Sequence, residues 1–125
     1  MDSSVLLAYL QVEDRSPPAA FWEGDLVSSR LAEYEVWTRL HSSNAGAILN
    51  ELAKGLLEHL ALAELSPLVL ERALQPFPLP LRTLDALHLA TAHYFRLLDP
   101  GLTVATYDER MAEGAQRLGF KVLRP

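Results

Sequence analysis

The sequence predicts an α/β domain, a small central parallel sheet flanked by helices, and three observations carry that reading. The closing stretch GLTVATYDERMAEGAQRLGFKVLRP reads strand, helix, strand, and two strands joined through a helix lie parallel. Upstream, helical apolar patterns dominate, with a short strand at LVSS just before one of them. The 125 residues, half of them hydrophobic and only 22% charged, suffice for one domain (residues 1–125) with its own core.

Each element follows from local chemistry. SSVLLAYL, from Ser3 to Leu10, reads as a strand end running into a short helix. DRSPPAAFWEGD is a turn followed by a short element, with Pro17 suited to a helix's first turn, where no N–H is needed. LVSS is a short strand ending in a serine cap, and RLAEYEVWTRLH continues it as a helix. A second helix is expected over residues 45–62, AGAILNELAKGLLEHLAL. SPLVLERAL starts with Ser66 as cap and Pro67 at the first helical position. QPFPLPL breaks the chain before the helix LRTLDALHLATA. The closing unit then runs TVAT as strand, ERMAEGAQRL as helix, Gly119 as its stop and FKVL as strand.

Composition excludes several classes. With no cysteine there are neither disulfides nor thiolate metal sites. Apolar runs such as LLEHLALAEL are interrupted by Glu and His too often to span a bilayer. The start lacks the basic region and apolar core of a signal peptide, so the expected compartment is the cytoplasm. A net charge of −5 argues against binding nucleic acid through a broadly basic surface. It leaves room for an enzyme acting on nucleic acid, whose carboxylates bind cations and make the total acidic.

Four acids fall at element junctions, where open α/β sheets place their sites: Asp2, Glu35, Asp85 and Asp108. Each has an ordinary alternative. Asp85 suits the first turn of its helix with Thr83 as N-cap, and Asp108 is a good N-cap in its own right. Glu35 stands four residues before Arg39, a weakly stabilising helical pair, and Asp2 is a candidate solvated terminal residue. His88, on an otherwise apolar row, reads as a hydrogen-bonded core histidine rather than a ligand. Periodicity does not choose Glu35 over Glu33, since Glu33 lies nearer the Val36–Trp37–Leu40 side of the wheel. The residues by themselves support an acidic pocket and no more.

Four blocks in order resemble the PIN-domain ribonucleases, most closely the VapC toxins of bacterial toxin–antitoxin pairs. MDSSVLLAYL resembles the family's opening, an Asp, a small residue, then Ser or Thr, which assigns the first acidic role to Asp2 and a supporting hydroxyl to Ser4. The family has several strand residues before that Asp, where this sequence has Met1 alone. VSSRLAEYEVWTRL is similar to the second block and selects Glu35 over Glu33. LRTLDALHLATA is the most specific block, and its acid is Asp85. ATYDERMAEGAQRLGFKV resembles the last, with Asp108 as fourth acid and Thr106 as a supporting hydroxyl.

The resemblance implies a PIN-like fold and a metal-dependent endoribonuclease cutting single-stranded or loop RNA. Asp2, Glu35, Asp85 and Asp108 would bind Mg²⁺ or Mn²⁺ directly or through water, since hard cations prefer carboxylate and water oxygens. It further implies a small antitoxin that covers the site with a basic side chain, and a homodimer. Arg30, Arg39 and Arg82 are candidates for steering phosphate, each equally a surface charge, and Tyr34 and Trp37 for stacking on bases, Trp37 being the better core residue. Two other readings compete. A phosphoacceptor receiver domain shares the size and an acidic Mg²⁺ pocket, but expects adjacent acids early and a lysine after the last-but-one strand. A PIN fold reduced to RNA or protein binding would have no use for the acid quartet.

Overall fold

The computed structural model describes residues 1–11, 16–44 and 46–125. Its helices are α1 (Ser3–Leu10), α2 (Arg30–Ser42), α3 (Gly46–Glu58), α4 (Pro67–Ala73), α5 (Thr83–Leu98) and α6 (Glu109–Arg117). A 3-10 turn covers Ala19–Glu23. The strands are β1 (Val27–Ser29), β2 (Ala61–Ala63), β3 (Thr103–Ala105) and β4 (Lys121–Leu123). β1 pairs parallel with β2, and β3 parallel with β4. The expected α/β class with a small parallel sheet is therefore present, divided into two pairs.

What joins the pairs is the chain's first two residues. The Met1 amine donates to Val27 O at 2.8 Å and the Asp2 N–H donates to Ala105 O at 3.3 Å. Ser28 Oγ adds a 2.6 Å bond to Met1 O. Beyond them the inner edges of β1 and β3 border a cavity of about 290 Å³ lined by Val27, Leu89, Phe95, Val104 and Met111, among others.

Several expectations need correction. SSVLLAYL contains no strand end: it is helical from Ser3, because the Asp2 carboxylate accepts the Ser4 N–H and caps α1. This helix is apolar on almost every side, with Val5, Leu6, Leu7, Ala8 and Leu10 all buried. Leu6 and Leu10 pack with Val36, Leu40 and Leu57, whereas Val5 and Ala8 pack with Ala105 and Tyr107. It is the core's central pillar.

The helix expected over residues 45–62 stops at Glu58, and Ala61–Ala63 is strand β2 (Ala45 lies outside the described residues). Alanine and leucine favour helix, but pairing Ala61, Leu62 and Ala63 with Val27, Ser28 and Ser29 satisfies backbone groups that a continued helix would leave open on β1. Thr83 is the first helical residue of α5 and not its cap; Arg82 holds the cap position with no side-chain bond. Pro17 lies ahead of the 3-10 turn Ala19–Glu23 and not in a helix's first turn, Asp14 and Arg15 lie outside the described residues, and α5 runs past Ala92 to Leu98. Other boundaries lie close to expectation: Ser66 caps α4 ahead of Pro67, and Gly119, at φ +89°, ends α6 in a conformation that favours glycine.

The second half of the core gathers Leu89, Val104, Met111, Ala115 and Phe120 between α5, α6 and the β3–β4 pair. α4 lies against α5, tied by Arg72 Nε donating to His93 Nδ1 at 2.7 Å. α5 thus carries Asp85 at its solvent-facing start and core residues along its middle.

Candidate active site

Asp2 stands where α1 begins, and it is buried with both oxygens occupied. Oδ1 accepts from Ser4 N–H at 3.2 Å and from Ser4 Oγ at 2.6 Å. Oδ2 accepts from Thr106 Oγ1 at 2.9 Å. The two hydroxyls continue outward, because Ser4 Oγ accepts from Tyr107 N–H and Thr106 Oγ1 from Asp108 N–H, each at 2.9 Å. A small polar network therefore links the start of α1 to the β3–α6 connection and holds Asp2 in one orientation.

Burial pushes the Asp2 carboxyl above its usual range, and the Ser4 bond, the His88 ring and the Thr106 bond only partly oppose it. Asp85, in the first turn of α5, is half-buried and has no hydrogen-bond or ion-pair partner among the described residues. A helix N-terminus favours the ionised form, and on that ground alone Asp85 should stay charged more readily than an ordinary acid. The structure reverses that expectation. Burial, then the charges of Asp108 and Asp2, and further the charge of Glu35, raise its carboxyl above the ordinary 3.8 against a smaller pull from His88. The charges of Asp108, Asp2 and Glu35 thus all reach Asp85 and act in the same sense.

Glu35 and Glu33 part ways on α2. Glu33 pairs with Arg30 at 3.3 Å, and Arg30 also holds Glu64 at 2.9 Å, an exposed surface arrangement. Glu35 turns inward to His88, with Nε2 and Oε1 2.5 Å apart, and makes no ion pair with Arg39. The wheel that favours Glu33 counts only the Val36–Trp37–Leu40 side; Leu31 and Ala32 are buried as well, one turn before Glu35, and the inner face they extend takes in Glu35.

His88 is itself buried, one turn after Asp85 on α5, and its Nδ1 lies 3.1 Å from Ser29 Oγ. The reading of His88 as a hydrogen-bonded core histidine agrees with this, but its partners were missed. The one available signal was its spacing, three residues after Asp85, which puts both on the same face of a helix. Ser29 holds the N-cap position of α2 without capping it, its hydroxyl being given to His88.

Asp108 is the N-cap of α6, its Oδ1 accepting from Arg110 N–H at 2.9 Å and Met111 N–H at 3.1 Å. Capping and membership of the acid group coexist, since the same carboxylate acts on Asp85. Arg39 and Arg82 are exposed, Tyr34 is 65% exposed, and Trp37 packs on the core cluster and stacks with His41 at 5.8 Å. Among the described residues, no three His, Cys, Asp or Glu side chains already stand at metal-ligating spacing. The donor set nevertheless suits a hard divalent ion: all four are carboxylates, and the crowding that raises Asp85 is what such a charge relieves.

Two features expected of a receiver domain are not met among the described residues: Asp85 lies inside a helix and Lys121 inside β4. Residues 1–116 match the family model described as PIN domain. Ribonuclease VapC46 of Mycobacterium tuberculosis (strain ATCC 25618 / H37Rv) is 40% identical over 99 residues, covering 79% of this chain and 73% of that protein. Ribonuclease VapC35 of Mycobacterium tuberculosis (strain CDC 1551 / Oshkosh) is 28% identical over 131 aligned positions, covering 100% of this chain and 95% of that protein. No solved structure gives a significant match. With nearly its whole length matched by the family model and a VapC ribonuclease 40% identical over most of it, the chain belongs to the PIN-domain family, as a VapC-type ribonuclease.

Proposed function

We propose that the protein is a Mg²⁺- or Mn²⁺-dependent endoribonuclease acting on single-stranded or loop RNA, and the toxin of a type II toxin–antitoxin pair. The observation that carries the metal reading is Asp85: half-buried, unpartnered among the described residues, and acted on by three other acids. Such a group is stable as a charged site only with a cation nearby. Bound there, a divalent ion would activate a water and neutralise charge on the attacked phosphate. Mg²⁺ keeps several waters and needs only one or two direct carboxylates, which suits acids spaced more widely than a set of direct ligands.

The chain's own residues divide the remaining work. Asp2, Glu35, Asp85 and Asp108 supply the oxygens, directly or through water. Ser4 and Thr106 hold both Asp2 oxygens in place. Asp108 offers Oδ2 while Oδ1 anchors the start of α6. The exposed Arg39 and Arg82 are the cations left to steer phosphate, as Arg30 is engaged by Glu33 and Glu64.

The partners follow from the same reading. An antitoxin inserting a basic side chain among the acids would replace the missing positive charge. A homodimer would cover exposed leucines on the packed helices α4 and α5: Leu68, Leu74, Leu97 and Leu98. No helix among the described residues is long and apolar enough to cross a membrane, and the proposed compartment is the cytoplasm.

Cleavage of a single-stranded RNA, with and without EDTA, tests the proposal. Cutting should stop with EDTA and return with Mn²⁺. Asp108→Asn should cut activity by at least an order of magnitude while folding stability stays within about 0.5 kcal/mol, because Asn caps a helix nearly as well as Asp. Cleavage indifferent to EDTA refutes the metal; no cleavage of any RNA, with Mn²⁺ binding intact, points to a PIN fold that only binds.

A further inference from the structure

We infer that His88 is a positioning residue that fixes Glu35 for cation binding, through a relay running Ser29–His88–Glu35. This deepens the proposed function and rests on its reading of Glu35 as a cation-binding acid. Ser29 ends β1, His88 lies on α5 and Glu35 on α2, so two short contacts, 3.1 Å and 2.5 Å, fasten three elements together at one point.

The chemistry gives the relay a direction. An ionised Glu35 can only accept, so the hydrogen of the short bond sits on His88 Nε2, whatever the state of Nδ1. Both ring nitrogens are then engaged by protein, and neither is left to coordinate a metal. What the bond does is hold one carboxylate oxygen, Oε1, and leave Oε2 to the acid pocket. Because His88 and Asp85 are one turn apart on the same helix, pinning Glu35 to His88 also sets its distance from Asp85. A buried ring cannot swing away: His88 is 8% exposed, and its neighbours Leu89 and Ala90 are fully buried. Ser29 completes the arrangement by giving up its capping role for this bond.

The test measures Mn²⁺ affinity by calorimetry and by the metal-induced rise in melting temperature, with RNA cleavage as a second readout. His88→Ala should weaken Mn²⁺ binding about 10-fold, the usual scale for removing a group that orients a ligand. His88→Gln keeps a donor near the place of Nε2 and should stay within about 3-fold of wild type. His88→Asn places its amide nearer the Nδ1 position, out of reach of Glu35, and should behave as alanine. The Gln–Asn comparison stands even if His88→Ala does not fold, and a merely structural histidine would not split the two in metal affinity. Adding His88→Ala to Glu35→Gln should weaken binding no further than Glu35→Gln alone.

Three results overturn the inference. Equal affinity in the Gln and Asn variants, or a His88→Ala loss that adds in full to Glu35→Gln, removes His88 from the relay and leaves the metal reading standing. A wild-type protein that takes up no Mn²⁺ removes both.

Discussion

Asp85 is the residue at which the molecule's electrostatics can be read most directly. Its carboxyl is raised above 3.8, so between that value and its raised one the folded state holds more protons than the unfolded state. Stability from this group is therefore full at low pH and lost as pH rises through the raised pKa; Asp2, also raised, acts in the same sense. In EDTA, melting temperature should fall as pH climbs above about 4, and Asp85→Asn should flatten the fall; a melting temperature that rises across that window, equally in both proteins, would refute the crowding. Glu35 makes the second case. Glu35→Gln keeps volume and hydrogen bonding but removes the charge a cation needs, and cleavage should drop by at least an order of magnitude, partly recovered at high Mn²⁺. Glu33→Gln, which breaks only an exposed pair with Arg30, should leave cleavage nearly unchanged. Comparable losses in both would mean that α2 is rotated from this arrangement. At this scale the sequence was legible in kind and not in geometry. Asp2, Glu35, Asp85 and Asp108 are the acids the sequence proposes for the site, and preferring Glu35 over Glu33 rests on a family resemblance. Helical periodicity says which face is apolar, and with Leu31, Ala32, Val36 and Leu40 all buried that face borders both Glu33 and Glu35.

Among the elements, α5 and α6 matter most, because one bears Asp85 and the other begins at Asp108. Their approach is set by Gly114: a Cβ there would lie 2.9 Å from Leu89 Cδ1, and Leu89 is fully buried. Gly114→Ala should gain about 1 kcal/mol in helix propensity and lose about 1–3 kcal/mol to overpacking. The expected net is a small loss in urea denaturation, with a larger fractional loss of cleavage as the two acids are spread. A variant more stable than wild type and fully active would show that the helices have room to spare. The elements themselves were mostly readable where caps mark them, as at Ser66–Pro67 and Gly119. They were misread where long-range pairing decides. Ala61–Ala63 has the composition of a helix and becomes strand because β1 lies beside it. Ser3–Leu10 looked part strand because it is apolar all round, which describes a buried helix equally well.

For the whole molecule, of net charge −5, the proposed metal dependence predicts a folded state stabilised by a divalent cation. Adding Mg²⁺ or Mn²⁺ should raise the melting temperature by mass action, and Asp85→Asn should abolish most of the rise. An identical rise in both proteins would place the binding elsewhere. The α/β class was legible from the closing strand–helix–strand, while the division of the sheet into two pairs was not, since no local pattern records which strands lack a neighbour. That division leaves space between the pairs, beside the acid group. Met1 lies between β1 and β3 with its amine bonded to Val27 O, and burial lowers the pKa of that amine below 8.0. The cavity of about 290 Å³ that Met1 and Asp2 help to line touches residues of both pairs, so a bulkier side chain built into it would disturb the sheet and the acid group together.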